Sequence, residues 1–403
     1  MFFIRMAARN ILRQKRRSIL TALSIMGSFI LCSMAIGLVY GTYGKVIDTF
    51  TRGHSGHIQV HAKNYLERPS LFKNMKNSQE VIERIQNGPQ VRAVSPRVIG
   101  SVLVSVGEKT TGARIFGINP EREKQTTTIM QRVELGSPLE QSSEYDIVIS
   151  HALSKILAVS PGQELILMTQ AADGSMANDL FKVSGILNES SDAMESRNIY
   201  MPIETASEFL VLGSRVHEIA VALDDHDQAE AVAAQLQEML PELDVSPWQV
   251  IEAEFYKAMT ADQTGIWINL GIMLFIVSIG VLNTVLMTIL ERTKEFGIMK
   301  AIGTRPGEIF ILVVLETAVI AIISVAIGSI FALAINYKLS HMGIPYPMPI
   351  EIGGMALHHL YGQVAFFNLW IPALVVCLSS IGVSIIPAFR AAHIVPVKAI
   401  RST

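Results

Sequence analysis

Four apolar runs, at about 19–39, 266–290, 309–335 and 366–386, each reach the roughly 20 residues that an α-helix needs to cross a bilayer. They constrain the fold more than anything else in the chain. Half of the 403 residues are hydrophobic and 17% are charged. That balance is too apolar for an ordinary soluble protein and too polar for a chain that lies wholly in the membrane. The fold class expected is a membrane protein with four transmembrane helices and a large α+β extracytoplasmic domain between helices 1 and 2.

Basic residues set the orientation. Arg5, Arg9, Arg13, Lys15, Arg16 and Arg17 precede the first run, Arg292, Lys294, Lys300 and Arg305 fill the second connection, and Arg390, Lys398 and Arg401 follow the last run. All three groups share one side if both termini are cytoplasmic. The division expected is a cytoplasmic amphipathic helix at 1–18, spans at 19–43, 265–290, 309–335 and 366–387, an outer domain of two subdomains at 44–264, a cytoplasmic coupling element at 291–308, a short outer loop at 336–365 and a cytoplasmic tail at 388–403. A net charge of −2 gives no basic field for nucleic acid. Cys32 and Cys377 both lie in apolar runs, so no disulfide framework is expected.

The second connection, ERTKEFGIMKAIGTRPGEIFILVVLE (291–316), is the richest stretch of the chain. Glu291, Arg292, Lys294, Glu295, Lys300, Arg305 and Glu308 surround a helical apolar pattern of Phe296, Ile298, Met299 and Ile302. It reads as a short stiff element that something else pushes. Charges that mix in sign offer a docking surface, and Phe296, Ile298 and Met299 offer an apolar ridge. Glu316 is the one acidic residue inside the third run and reads as structural. Gly37 and Gly41, four apart, let helices approach closely, and Asn283 is a candidate interhelical hydrogen-bond donor.

The outer segment alternates strand and helix patterns. A hairpin with a projecting polar tip is expected over 169–179, turned at Asp173-Gly174, with Gln170 and Met176 beside the turn. His54, His57 and His61 have no cysteine or carboxylate spacing beside them, so they read as solvated strand residues and no metal site is expected. No G-x-x-x-x-G-K-[ST] loop and no nucleophile elbow occur, so no catalytic residue and no cofactor-binding residue is assigned.

Three separated motifs resemble the FtsX/MacB/LolC–LolE permeases. The connection at 291–316 is similar to that family's KE-[FI]-G and A-[IL]-G signature leading to an early glutamate. ARNILRQKRRSILTALSIMG (8–27) resembles its entry into the first span, and IPAFRAAHIVPVKAIR (386–401) its carboxyl end. FGINP (116–120) and DIVISHALSKILAVSPGQEL (146–165) resemble the MacB-type outer domain. The resemblance implies a non-catalytic permease subunit of an ABC transporter of the mechanotransmission type in a bacterial inner membrane. ATP and Mg would be bound by a separate ATPase dimer, and a second permease would complete a homo- or heterodimer. By resemblance, Glu291, Arg292, Lys294, Glu295, Phe296, Gly297, Met299, Lys300 and Gly303 couple to the ATPase. The hairpin with Gln170, Asp173, Gly174 and Met176 would meet a periplasmic carrier or adaptor. Length and layout point to lipoprotein release. The alternatives are MacB-like efflux with an adaptor and outer-membrane channel, and FtsX-like signalling to an envelope enzyme.

Overall fold

The computed structural model describes residues 15–141, 143–188, 196–352 and 355–395. Most of the helix expected at 1–18 and the end of the tail expected at 388–403 lie outside those residues. The chain divides into two compact units. One gathers Met1–Lys45, Thr260–Ile350 and Leu357–Thr403, and the other is Val46–Met259 with Glu351–Ala356.

The second unit is an inserted α/β domain. Its strands are β1 (Ile58–Ala62), β2 (Val91–Val106), β3 (Lys109–Ile118), β4 (Val133–Gly136), β5 (Asp146–Ile149), β6 (Glu164–Gln170), β7 (Met176–Leu187), β8 (Asn198–Pro202), β9 (Glu218–Leu223) and β10 (Leu243–Pro247). They form one connected sheet in the order β10-β1-β9-β2-β3-β8-β5-β7-β4, with β6 bridging β2 and β7. The two subdomains expected from sequence are therefore joined by a single sheet. Helices cross its faces where caps allow them to start. Ser150 accepts from Leu153 N ahead of helix His151–Leu157, and Asn119 accepts from Arg122 N ahead of helix Pro120–Thr126, whose first residue is proline.

That second helix places Glu123 under the middle of the sheet. Arg97 of β2, 1% exposed, donates to Glu123 Oε1 at 2.5 Å, to Glu218 Oε1 at 2.7 Å and to the His54 carbonyl at 2.7 Å. Ser95 and Thr127 donate to Glu123, and His61 Nε2 sits 3.2 Å from Glu218 Oε2. Burial alone would raise the Glu218 carboxyl, but the Arg97 charge and the His61 hydrogen bond hold it down at about 2. Burial opposes ionisation of Glu123 too, and Arg97 with its hydroxyl donors prevails, so its pKa is lowered. An arginine with two carboxylates survives burial only because nearly every lone pair finds a donor. The cluster is sealed from solvent and braces β1, β2 and β9.

His57 and His61 were expected to be solvated, and both are buried, at 2% and 0% exposure. β1 lies between β9 and β10 in the sheet, and side chains from elsewhere lie over the two rings: Tyr65 stacks on His61, and Asp48 and His226 flank His57. His57 Nδ1 accepts from Leu223 N at 2.9 Å. Burial lowers its pKa to about 4, against the opposing pull of Asp48 and with further lowering from His226, Arg52 and Arg92.

The hairpin also differs from expectation. The β6–β7 ladder runs out to Gln170↔Met176, so the turn is only residues 171–175. Asp173 Oδ1 accepts from Ser175 N and Oγ, and Gly174 takes φ +88°. Ala172 N donates to the Leu210 carbonyl at 2.9 Å, and Ala171 is 1% exposed. The tip is tied down on its own domain instead of projecting. Gln170 closes the turn by donating to the Gly174 carbonyl, while Met176 stays 75% exposed.

Four stretches are long and apolar enough to cross a membrane, among the described residues: Ser18–Ser55, Leu270–Glu291, Pro306–Met342 and Phe367–Ala392, called spans 1 to 4, and the first unit holds them all apart from the end of span 1 beyond Lys45. Span 2 is the end of one continuous helix, Ala253–Glu291. Their shared core includes Phe29 of span 1, Val285 and Ile289 of span 2, Ile309 and Val313 of span 3, and Val376 and Ala388 of span 4. The loop expected at 336–365 is largely ordered: span 3 continues to Met342, and strands Ile344–Ile352 and Met355–Leu360 pair with each other.

Gly37 and Gly41 allow close contacts within this unit. A Cβ on Gly37 would fall 2.3 Å from Asn336 Oδ1, and one on Gly41 would fall 2.5 Å from the Gly362 and Tyr361 backbone. Gln363 N donates to the Gly37 carbonyl at 2.9 Å, and Ser33 Oγ links Asn336 to the Asn368 carbonyl. Asn283, expected to bond another helix, is exposed, and its side chain has no hydrogen bond inside this chain among the described residues.

Candidate coupling site

Span 2 stops at Glu291, a nine-residue connector helix runs Thr293–Ala301, and span 3 starts at Pro306. Gly303 at φ +100° makes the reversal between them, a backbone state that a side chain would strain. Glu308 Oε2 accepts from Arg305 N at 2.9 Å and so caps the start of span 3. The connector is thus two short turns around one helix, with defined ends.

Its inner face is fixed at three points. Phe296 is 0% exposed and belongs to the core shared by the four spans. Arg292, 6% exposed, donates from Nη1 to Glu316 Oε2 of span 3 at 2.6 Å and from Nε to Glu295 at 3.0 Å. Its guanidinium lies 5.0 Å above the Phe296 ring, so it also makes a cation–π contact. Lys300 Nζ donates to the carbonyls of Ala392 and Ile394, both at 3.0 Å, and so caps the end of span 4 with a cation. Gly297 is buried and Met299 packs at the edge of the same core.

The nine residues assigned to ATPase coupling from sequence therefore divide. Glu291, Lys294, Glu295 and Gly303 are exposed. Arg292, Phe296 and Gly297 face inward, and Met299 and Lys300 are half-buried with inward contacts, so within this chain these five brace the connector. The exposed apolar members are Ile298 at 54% and Ile302 at 77%. Glu291, Lys294, Glu295, Ile298 and Ile302 recur at helical spacing, which makes a charged stripe ending in isoleucines, and Arg305, past the Gly303 reversal, is exposed as well. Glu316, read from sequence as structural, has its partner in Arg292.

A membrane protein of four spans, with a large α/β domain after the first and a braced, charge-striped connector between the second and third, defines the class. The chain matches the model of the MacB-like periplasmic core domain over residues 18–239 and that of the FtsX-like permease C-terminal region over 267–396. It belongs to the FtsX/MacB/LolC-type ABC transporter permeases. A lipoprotein-releasing system transmembrane protein LolC of Xylella fastidiosa (strain Temecula1) is 22% identical over 340 residues, 81% of this chain and 82% of that protein. A macrolide export ATP-binding/permease protein MacB of Aggregatibacter actinomycetemcomitans is 24% identical over 339 residues, 80% of this chain but 51% of that protein. The chain spans about half the length of this MacB relative. The crystal structure of the periplasmic region of MacB from Actinobacillus actinomycetemcomitans aligns with 52% of this chain and 96% of its own, at 17% identity and a TM-score of 0.37.

Proposed function

We propose that this permease is the mechanical transducer of an inner-membrane complex that releases lipoproteins. A separate ATPase dimer, carrying ATP and Mg, docks on the stripe formed by Glu291, Lys294, Glu295, Ile298 and Ile302, and on Arg305. The single observation behind this reading is the connector's three-point brace. A helix tied through Arg292 to span 3, through Lys300 to span 4 and through Phe296 to the common core passes an applied push to the spans as a unit. A loop without those ties would absorb it. Both termini and the connector face the cytoplasm in this reading, following the basic residues around them, and the inserted domain faces the periplasm. A second permease completes the dimer, and Asn283, exposed on span 2, is available to it.

Lipoprotein release is favoured by the similarity to LolC over four-fifths of both chains. Macrolide-type efflux is the second reading, because MacB relatives match this chain at 24% identity as well. The test uses the full chain in nanodiscs with its cognate ATPase. Ile298→Asp with Ile302→Asp is expected to abolish stimulation of ATP hydrolysis and leave thermal stability unchanged. Phe296→Ala is expected to lower stability by about 3–5 kcal/mol, as for other buried aromatic truncations. Full stimulation in the double aspartate variant would refute docking on this stripe. Loss of bound acylated protein from the reconstituted complex on adding ATP reports lipoprotein release, and its absence alongside adaptor-dependent drug transport would move the reading to efflux.

A further inference from the structure

The inserted domain carries a cleft of about 480 Å³ between the segment at 65–72, the middle of β2 and the end of β6. Its walls are preset. Ile99 N donates to His217 Nδ1 and His217 Nε2 donates to the Leu71 carbonyl, both at 3.0 Å, so one buried imidazole ties the β2 wall to the opposite wall. Thr169 Oγ1 donates to the Ser101 carbonyl at 2.7 Å and fixes the third side.

Arg114 lies on the cleft floor, paired in register with Ser101. Its guanidinium rests over the Phe116 ring at 5.2 Å, and no carboxylate pairs with it among the described residues. Arg97, by contrast, is neutralised by two glutamates. The sheet face leading away from Arg114 carries an apolar strip open to solvent. Leu103 pairs with Met168, and Ile166 pairs with Leu180. Leu103, Ile166 and Leu180 are 52%, 39% and 45% exposed. Ser101 and Ser105 bound this strip along β2, and four residues of strand span ~14 Å. An unneutralised cation at one end and an uncovered aliphatic track at the other are complementary to one chemistry.

We propose that this surface binds a small amphiphile with a single anionic head, the head at Arg114 and the apolar tail along Leu103, Met168, Ile166 and Leu180. The assignment does not depend on the coupling reading, because every residue in it belongs to the inserted domain.

The test places a bimane label at Thr110→Cys, exposed across from Ser105, in a full chain carrying Cys32→Ser and Cys377→Ser and held in nanodiscs. Decanoate, decanol and decyltrimethylammonium are titrated, with label-free discs as the blank. A saturable response to decanoate at a concentration at least ~10-fold below the other two is expected, in keeping with a charge-assisted hydrogen bond. Arg114→Gln is expected to bring decanoate to the level of decanol, and Arg114→Lys to retain part of the preference. Ser101→Glu, which sets a carboxylate beside the intact arginine, is expected to do the same as Arg114→Gln. Equal titration by all three probes, or an unchanged decanoate response in both Arg114→Gln and Ser101→Glu, would overturn the proposal. So would a label silent to every amphiphile that responds only to an added purified carrier protein, since that would make the face a protein-docking surface.

Discussion

Replacing Glu316 by glutamine removes the charge that holds Arg292 and leaves the guanidinium buried. Arg292 is 6% exposed and its bond to Glu316 is 2.6 Å long. Removing one member of a buried ion pair costs about 3–5 kcal/mol, most of it from the stranded charge. Here Glu295 remains at 3.0 Å and the glutamine carbonyl still accepts a hydrogen bond, so the low end, about 3 kcal/mol, applies. Glu295 cannot replace Glu316 fully, because its side chain is 46% exposed and water screens it. Arg292→Met should cost a similar amount by stranding Glu316. The pair Arg292→Met with Glu316→Leu strands neither charge and should recover to within about 1 kcal/mol of the parent. Reversible unfolding of the full chain in mixed micelles, run as a double-mutant cycle, measures all four species. The reasoning fails if the two single losses add in the double variant. It also fails if Glu316→Gln costs less than about 1 kcal/mol, the scale of an exposed pair. Should the apolar double variant fold well yet fail to stimulate the ATPase, the ion pair is needed for direction as well as for stability.

Two further outcomes follow from the packing and from the buried imidazole. Gly41→Ala should destabilise more than Gly37→Ala, because the new methyl meets backbone atoms of Tyr361, Gly362 and Gln363 in the first case and the adjustable Asn336 amide in the second; thermal unfolding in nanodiscs should show a gap of about 1–3 kcal/mol, typical of overpacking. His57 has its folded pKa lowered to about 4 from an ordinary 6.5 by burial, despite Asp48. The unfolded chain therefore binds the proton first, so His57's contribution is complete above pH 6.5 and is lost as pH falls toward 4, by an amount on the order of 3 kcal/mol. His57→Asn, whose Oδ1 can still accept from Leu223 N, should flatten that part of the profile.

The spans were legible because a run of apolar residues states its own environment, and no distant partner is needed to read it. Local caps were legible for the same reason: Ser150 and its helix are adjacent in sequence. What stayed hidden was any property set by a distant neighbour. His57–His61 alternates as a strand should, yet exposure depends on what packs over the strand, and Glu218 and His226, which lie against His61 and His57, come more than 150 residues further along. The hairpin tip looked free because nothing in 169–179 announces that Leu210 will hold it. The Arg97 cluster escaped notice because Arg97, Glu123 and Glu218 come from three separate elements.

The connector shows where that limit bears on function. Phe296, Ile298, Met299 and Ile302 all fit an apolar helical pattern, and periodicity says that the helix has faces without saying which one the spans claim. Volume decides it. The core beside Ala388 and Ala391 of span 4 accepts a ring at Phe296, and once that ring is inside, the geometry of 100° per residue turns Ile298 and Ile302 outward. Arg292, one turn before Phe296, must then follow the ring inward, and a guanidinium can do so only if an acid awaits it. Glu316 is that acid, 24 residues later. The early glutamate of the third span and the arginine at the end of the second are thus one device: the charge in the membrane helix exists to let the connector bury its aromatic root, and the exposed isoleucines are the consequence.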